Sequence, residues 1–335
     1  MAARPTMKDV AQAAGVSLMT VSRVVNGDRG VSAQTTARVE QAVARLGYQR
    51  NDNASHLRRK AQTTRTIGLV VDDLANPFYA TLARAVEDEA YRRGYLVLVS
   101  STNDDPRRER EVVLAFSARQ VDGLIVVPTA GSHSLLKAQM AQGMPVVCVD
   151  RPARGLDADT VTVDNRDATR RAVTHLLTHR HRRIAYLGDQ HDIWTLRERF
   201  AGYQEALRGH GVEPDPGLVR HGLRTRAEAA AAVADLMRRA DPPTALFSSN
   251  DLITVGAIDG LGAPLPRVAL VGFDDFPLAD KLHRPVTVVS QDPATIGGTA
   301  AQLLFSRIDG YQAPPRSVVL MTRFITRGSG EIPPP

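Results

Sequence analysis

The chain has 335 residues, of which 43% are hydrophobic and 23% are charged, and its formal net charge at pH 7 is +6. This length predicts more than one domain, and the balance of apolar and charged residues excludes a disordered or fibrous protein. No run of about 18 apolar residues occurs, so the sequence excludes a membrane-spanning helix.

The single cysteine, Cys148, lies in the apolar run PVVCVD. A lone thiol cannot form an internal disulfide, and no histidine near it in the sequence offers a general base. We therefore interpret Cys148 as a buried strand residue. No apolar segment follows the basic residues of the N-terminus, so no secretory signal is expected and the predicted location is the cytoplasm.

The positive charge is concentrated at the start of the chain. Residues 1–65 contain eleven Lys or Arg and four Asp or Glu, a net charge of +7, whereas the remainder of the chain is nearly neutral at −1. Such a segment favours a polyanionic partner.

Three short helices are predicted in the first 50 residues. Thr6, followed three residues later by an acid, has the pattern of a capping box, and Gly15 provides the left-handed residue that ends the first helix. Ser17 and Ser32 are suited to cap the second and third helices, and Gly47 to end the third. A tight glycine turn between the first two helices indicates a helix-turn-helix.

The second of these helices has one apolar face and one outward face. Burial of its valines directs Leu18, Met19 and Arg23 outward. In a major groove, Arg23 could pair with both acceptors of a guanine, and Leu18 and Met19 could contact thymine methyl groups. Any short amphipathic helix also has a polar side, so this pattern alone leaves an ordinary surface helix open.

The string MKDVAQAAGVSLMTVSRVVNG, residues 7–27, closely resembles the DNA-binding head of the lactose/galactose repressor (LacI/GalR) family. The resemblance implies that Thr20 and Ser22 hold phosphates while the outward residues above face bases. The full set of positions expected to contact DNA is Thr6, Ser17, Leu18, Met19, Thr20, Ser22, Arg23, Asn26, Asn51, Ala54 and Leu57.

Residues 48–66 correspond to the hinge of this family, which is helical when two copies meet in the minor groove. Leu57 matches the leucine that is wedged between the central base pairs. The alternative, an ordinary helix residue, lacks apolar neighbours in the sequence. Arg50 and Ser55 depart from the family pattern, where a proline and an arginine are usual, so minor-groove contacts here are expected to differ.

From residue 66 onward, short strands alternate with helices. Their continuous apolar character favours parallel sheets covered on both faces, and two successive series predict two doubly wound lobes with a cleft between them. The strand segments are TIGLVV, YLVLVS, GLIVV and PVVCVD, then RIAYLG, ALFSS, VALVGF and VTVVS.

The family resemblance extends over this region, through the motifs NPFY, VDGLIVVP, VTVDN, HRRIAYLG, RFAGYQEAL, SND and VGFDD in family order. It implies an all-α helix-turn-helix head followed by an α/β core of the periplasmic-binding-protein-like type. In such a core the chain crosses from one lobe to the other three times, so each lobe is built from separate segments. The expected domains are a head at 1–50, a hinge at 51–65, an N-terminal lobe at 66–164 and 291–322, a C-terminal lobe at 165–290 and 323–330, and a tail at 331–335.

The resemblance also implies an effector site in the cleft. Arg199 matches the arginine of the R-x-x-G-[FY] motif, which binds effector hydroxyls or a carboxylate, and Asn250 and Asp274 match residues that bind sugar hydroxyls. As alternatives, Asp274 could cap a loop and Asn250 could start a helix. The complete expected set is Asp73, Phe78, Asp150, Trp194, Arg199, Asn250, Asp274 and Gln291, with Trp194 either a stacking platform or a packed surface residue.

The sequence lacks the residue patterns that a metal site or a nucleotide-binding enzyme would require. His175, His179 and His181 have no cysteine pair or acidic ligand at zinc spacing, so no metal is expected. No glycine-rich phosphate loop follows the first strand, so neither a cofactor nor an enzyme is expected. A solute-binding transport component would need a signal peptide and would lack the basic head.

These observations predict a sequence-specific transcriptional regulator, a repressor that binds a pseudo-palindromic operator as a homodimer and is controlled by a small-molecule effector, a sugar, in the cleft. A corepressor-type regulator that senses a purine or another metabolite stays open. The tail after Arg327 has no apolar heptads, which favours a dimer over a tetramer. Residues 257–267 are shorter than the family pattern, with an expected effect on the surface of the C-terminal lobe.

Overall fold

The computed structural model describes residues 5–25, 28, 30–48, 63–262 and 267–335. The chain divides into two compact units, Met1–Thr64 and Arg65–Pro335. None of the helices among these described residues is long and apolar enough to cross a membrane.

The first unit contains the three predicted helices. They are α1 Met7–Ala14, α2 Leu18–Val25 and α3 Ala33–Leu46. The Asp9 carboxylate at the start of α1 accepts hydrogen bonds from the backbone N–H and the hydroxyl of Thr6, each 2.7 Å long. Gly15 and Gly47 both have φ of +63°, so glycine ends α1 and α3 as the sequence predicts. The fully buried Val10, Val21 and Val39 join the three helices into one small core.

The second unit begins with a six-stranded, wholly parallel sheet in the order β11-β5-β4-β3-β1-β2. Its strands are β1 Thr66–Val71, β2 Leu96–Ser101, β3 Leu124–Val126, β4 Val146–Val149, β5 Asp159–Val163 and β11 Ser317–Leu320. Helices α4 Pro77–Arg92 and α11 Pro293–Ile308 cover one face, and α5 Pro106–Ala118 and α6 Ser134–Ala141 cover the other. Cover on both faces explains why these strands read as continuous apolar runs.

A second six-stranded sheet has the order β12-β10-β9-β8-β6-β7, with only β12 antiparallel. Its strands are β6 Ile184–Leu187, β7 Val219–Arg220, β8 Ala245–Ser248, β9 Ala269–Phe273, β10 Thr287–Ser290 and β12 Arg323–Ile325. Helices α7 Asn165–Thr178 and α8 Trp194–Gly209 cover one face, α9 Arg226–Met237 and α10 Asp251–Leu261 the other, and a 3-10 turn spans Pro216–Leu218. The shortened segment predicted at 257–267 includes the end of α10, and residues 263–266 lie outside the described residues.

Close helix pairs depend on two glycines. A Cβ at Gly202 of α8 would overlap the backbone carbonyl of Arg166 in α7, and a Cβ at Gly297 of α11 would overlap the carbonyl of Leu82 in α4. The neighbouring Gly298 has open space around the same position. Only a residue without a side chain therefore permits each helix pair to approach this closely.

The chain leaves the first sheet after β5 and returns to it with α11 and β11, before β12 joins the second sheet. Asp164 lies at this crossing, where it accepts hydrogen bonds from the backbone N–H of Thr322 and from the Arg171 guanidinium, both 2.8 Å long. We propose the lobe boundaries predicted from the sequence. Two of them, 164/165 and 322/323, lie where the chain passes from one sheet to the other and where Asp164 is hydrogen-bonded to Thr322.

Asp159 fastens the returning segment to β5. Its fully buried carboxylate accepts two hydrogen bonds of 2.8 Å from the Arg307 guanidinium. The backbone N–H of Arg316, at 2.7 Å, and its guanidinium, at 2.9 Å, donate to the same carboxylate. Burial raises the pKa of Asp159, but the bonds from both arginines outweigh it and hold the pKa well below its usual range.

Candidate functional site

The outward face of α2 is the candidate DNA-binding surface. Leu18 is 44% exposed and Met19 is 70% exposed, Arg23 is also exposed, and Val21 on the opposite side is buried. The face therefore presents one guanidinium and two apolar side chains, as the sequence predicts.

The predicted phosphate contacts Thr20 and Ser22 lie on this helix, and two further predicted DNA contacts, Ser17 and Thr6, precede α2 and α1. The backbone N–H of Thr20 donates to Ser17 Oγ at 3.1 Å, so Ser17 caps α2, and the two hydroxyls lie 2.8 Å apart. Ser22 is half-buried on α2, and Thr6 lies at the start of α1. The predicted contacts Asn26, Asn51, Ala54 and Leu57 lie outside the described residues, as does most of the predicted hinge.

In the second unit, a cavity of about 90 Å³ lies between the two sheets, at the carboxyl ends of their strands. This is the edge at which doubly wound sheets bind ligands. Six residues of the predicted effector set line the cavity: Phe78, Asp150, Arg199, Asn250, Asp274 and Gln291.

Arg199 is held rigidly at the cavity wall. It is only 4% exposed, and its guanidinium donates to Asn165 Oδ1 at 2.7 Å and to the carbonyl oxygen of Ser249 at 2.6 Å. The same group lies 3.6 Å from Asp274 Oδ2 and 3.6 Å from the centroid of the Phe273 ring. Arg199 therefore enters the cavity as a positioned, desolvated cation.

Asp274 follows β9 directly and has φ of +70°. Its Oδ1 accepts a 2.6 Å hydrogen bond from Gln291 Nε2. Burial raises its pKa to about 6, against the opposing effect of Arg199. A buried carboxylate with a lone pair to spare is a strong acceptor for a ligand hydroxyl.

Asn250 was predicted either to line the effector site or to start a helix, and it occupies both positions. Its Oδ1 accepts a 2.8 Å hydrogen bond from the backbone N–H of Ile253, so it caps α10, and the residue also lines the cavity. Phe78 lies near the start of α4, half-buried against the apolar core, and forms the aromatic part of the wall together with the buried Tyr79.

Asp150 and Arg151 follow β4 and form the centre of an ionic cluster that the sequence did not indicate. Arg151 is 4% exposed, and its guanidinium lies 3.3 Å from Asp150, 3.2 Å from Asp104 and 3.9 Å from Asp72. Burial raises the pKa of Asp104 to about 6 and also raises the pKa of Asp72, although Arg151 opposes both shifts. Attraction by one cation does not compensate for the burial of these carboxylates.

Two predicted effector residues lie outside the cavity. Asp73 is exposed, and its Oδ1 accepts a 2.9 Å hydrogen bond from the backbone N–H of Ala75, whereas its neighbour Asp72 lines the cavity. Trp194 is half-buried at the start of α8, and the wall is formed by its neighbours Ile193 and Thr195. Adjacent side chains point in different directions in strands and helices, so an error of one residue moves a side chain out of the site.

Sequence reasoning missed several wall residues besides Asp72. Asn76 caps α4 and donates from Nδ2 to Asp251 Oδ1 at 3.3 Å, which joins an element of the first sheet to one of the second. Asp189 lies just beyond β6 and lines the cavity, and burial raises its pKa. A polar residue one or two positions after each strand was the signal available for Arg151 and Asp189.

The three histidines of the rejected metal hypothesis have protein partners. His175 Nε2 lies 2.6 Å from Glu331 Oε1, and His181 contacts Thr244 Oγ1 and the carbonyl oxygen of Ile332 at 2.9 and 2.7 Å. His179 Nδ1 lies 2.9 Å from the carbonyl oxygen of His175. Two of these contacts attach the C-terminal Glu331 and Ile332 to α7 and to the loop that follows it.

Each of the two units matches a known protein family. Residues 6–51 match the model for bacterial regulatory proteins of the lacI family, and residues 173–330 match the model for a periplasmic binding protein-like domain. The HTH-type transcriptional regulator PtxS of Pseudomonas plecoglossicida is 36% identical over 336 residues, which cover 98% of this chain and 96% of that protein.

Two solved structures are similar over almost the whole chain. The transcriptional regulator CelR in complex with cellobiose is 32% identical, with a TM-score of 0.73, and the match covers 97% of this chain and 100% of that one. The lac repressor dimer bound to operator and the anti-inducer ONPF is 26% identical, with a TM-score of 0.83, and the match covers 98% and 99%.

Proposed function

Because this chain belongs to the lacI family of bacterial regulatory proteins, we propose that it is a repressor that binds a pseudo-palindromic operator as a homodimer and responds to a sugar in its cleft. The observation that carries the proposal is the combination on one chain of an exposed recognition helix with a buried, polar cavity between two lobes. One part reads DNA, and the other part detects a metabolite.

The head supplies the chemistry for DNA. Arg23 offers two parallel N–H donors for guanine, Leu18 and Met19 offer apolar contact to thymine methyls, and the positive charge of residues 1–65 attracts phosphates. Two heads related by a two-fold axis recognise two half-sites, which is why a palindromic operator is expected.

The cavity supplies the chemistry for a polyol. Asp274 and Asn250 offer polar atoms for hydroxyl groups, and Phe78 offers an apolar face. Gln291 is 9% exposed, and its Oε1 has no hydrogen-bond partner among the described residues, so a ligand hydroxyl would satisfy it. In the similar CelR structure, the bound molecule is the sugar cellobiose.

Contacts across the cavity supply a route for control. The Asn76–Asp251 bond and the 3.4 Å bond from the Arg224 guanidinium to the carbonyl oxygen of Asn103 both join the two lobes. An effector that binds one arrangement of the lobes better than another shifts the population toward it, and DNA affinity changes through the same equilibrium.

The test begins with selection of operator DNA from a random pool by the full chain, followed by titration of the selected site at several salt concentrations. We expect enrichment of a palindrome, and an affinity that falls steeply as salt rises because phosphate contacts release counterions. The titration is then repeated with monosaccharides, disaccharides, polyols and purines. Enrichment of no palindrome would refute DNA recognition, and a response to a purine alone would replace the sugar with a corepressor-type ligand.

A further inference from the structure

The cavity contains more acidic than basic groups. Four carboxylates line it, those of Asp72, Asp150, Asp189 and Asp274, against two guanidinium groups, Arg151 and Arg199, so its formal charge is −2. Beyond the wall, the Asp104 carboxylate contacts Arg151 and the Arg224 guanidinium acts on Asp72 and Asp189, so these two further charges offset each other.

Both guanidinium groups already have protein acceptors. Arg199 donates to a side-chain amide and a backbone carbonyl and faces Asp274, while Arg151 lies among three carboxylates. Arg224, an exposed cation that acts on Asp72 and Asp189, donates to the carbonyl oxygen of Asn103. Each wall arginine therefore faces protein carboxylates, and although the buried Nε of Arg151 makes no hydrogen bond, the surplus of negative charge disfavours a phosphate or a carboxylate.

Asp72 and Asp189 come from different lobes. Asp72 follows β1 of the first sheet, and Asp189 follows β6 of the second, and the two carboxylates repel each other. Burial raises the pKa of each group, and the attraction of Arg151 and Arg224 offsets that rise only in part. A ligand that places positive charge between them would remove this repulsion when the lobes close.

We propose that the cleft selects a polyhydroxylated effector that carries a protonated amine, an amino sugar or aminated polyol, and rejects phosphorylated and carboxylated sugars. The proposal rests on the effector-binding function given above and specifies its ligand class. The amine lies toward Asp72 and Asp189, and the hydroxyls lie toward Asp274 and the unpartnered Oε1 of Gln291. No group of three His, Cys, Asp or Glu in the described parts of the chain is arranged to hold a metal ion, so the expected cation is organic.

The first experiment measures binding of matched sugar sets to the full chain by isothermal titration at pH 7.5. Each set contains a neutral sugar, its amino derivative and its 6-phosphate, with glucose, galactose and mannose as parents. In at least one set we expect the amino sugar to bind about tenfold more tightly than its parent, and the phosphate roughly 100-fold more weakly, because like charges repel strongly in a desolvated site. Equal or tighter binding of a phosphate, or no binding of any amino sugar, would overturn the proposal.

The second experiment reverses the selectivity. Asp72→Asn/Asp189→Asn removes two of the wall charges without changing side-chain size, and Asp88→Asn on the exposed face of α4 is the matched control. Inorganic phosphate serves as an anionic probe in thermal unfolding. We expect phosphate to raise the melting temperature of the double variant more than that of the wild type or the control, and an identical response in all three would contradict the proposal.

Operator titration on the same samples separates the two levels of inference. Protein that binds its operator but shows no preference for the amine refutes the ligand class alone. Protein that binds no operator refutes the regulatory function on which that class depends.

Discussion

Replacing Arg199 by Ala tests whether the cavity wall is one electrostatic unit. The change removes two hydrogen bonds and leaves the buried Asp274 carboxylate without its cation. Loss of one member of a buried pair typically costs about 3–5 kcal/mol. For a core of this size, that corresponds to a fall in melting temperature of roughly 6–10 °C.

The matched control is Arg226→Ala. Arg226 forms an ion pair with Asp259, but both side chains are well exposed, so its loss should cost at most about 1 kcal/mol. Unfolding of the full chain by heat and by urea measures both variants. A loss below about 1 kcal/mol for Arg199→Ala would show that solvent or another group replaces the guanidinium, and the reasoning from burial would fail.

The pH dependence identifies Asp274 as the source of this loss. Its pKa of about 6 lies above the ordinary value, so its protonation favours the folded state, and stability from this group is lost as pH rises through about 6. Without Arg199, the pKa rises further, and at pH 5 the carboxyl is already neutral. The destabilisation should therefore be larger at pH 8 than at pH 5, and equal losses at both would exclude Asp274 as the cause.

Further variants test other parts of the molecule. Asp159→Asn should destabilise the protein by about 3 kcal/mol near pH 7, because two arginines lose the negative charge of their shared acceptor and one of its two oxygens. The pKa of Asp159 lies below its ordinary value, so this difference should shrink as urea unfolding is repeated toward pH 3. Gly297→Ala should destabilise by about 1–3 kcal/mol through overlap with α4, whereas Gly298→Ala in the same helix should be neutral or stabilise by up to about 1 kcal/mol in the same melts. Arg23→Ala should weaken binding to the selected operator by about 1–3 kcal/mol with an unchanged melting temperature, and equal weakening by Arg45→Ala on α3 would contradict a specific role.

The sequence was sufficient where local chemistry determines the structure. A capping residue and a left-handed glycine define α1 and α3, and the run TIGLVV coincides with β1. These features depend on neighbours in the chain, so they can be read from a single segment.

The cavity wall was only partly predictable, because it depends on side-chain direction and on partners that are distant in sequence. The adjacent acids Asp72 and Asp73 are equivalent in the sequence, and only the end of β1 determines which one lines the cavity. Arg151 acquires its role from Asp104, 47 residues away. The family resemblance supplied Arg199, Asn250 and Asp274, but it did not supply the surplus of acidic charge.

The arrangement of the last two strands has a consequence for synthesis of the protein on the ribosome. β11 completes the edge of the first sheet, and β12, which begins three residues after β11 ends, completes the edge of the second. Translation must therefore pass residue 320 before the first lobe has all its strands and residue 325 before the second does, although the three helices of the head are finished by residue 46. A nascent chain thus carries a head able to fold well before its sensor can, and a message cut short before β11 yields two incomplete lobes rather than one intact lobe.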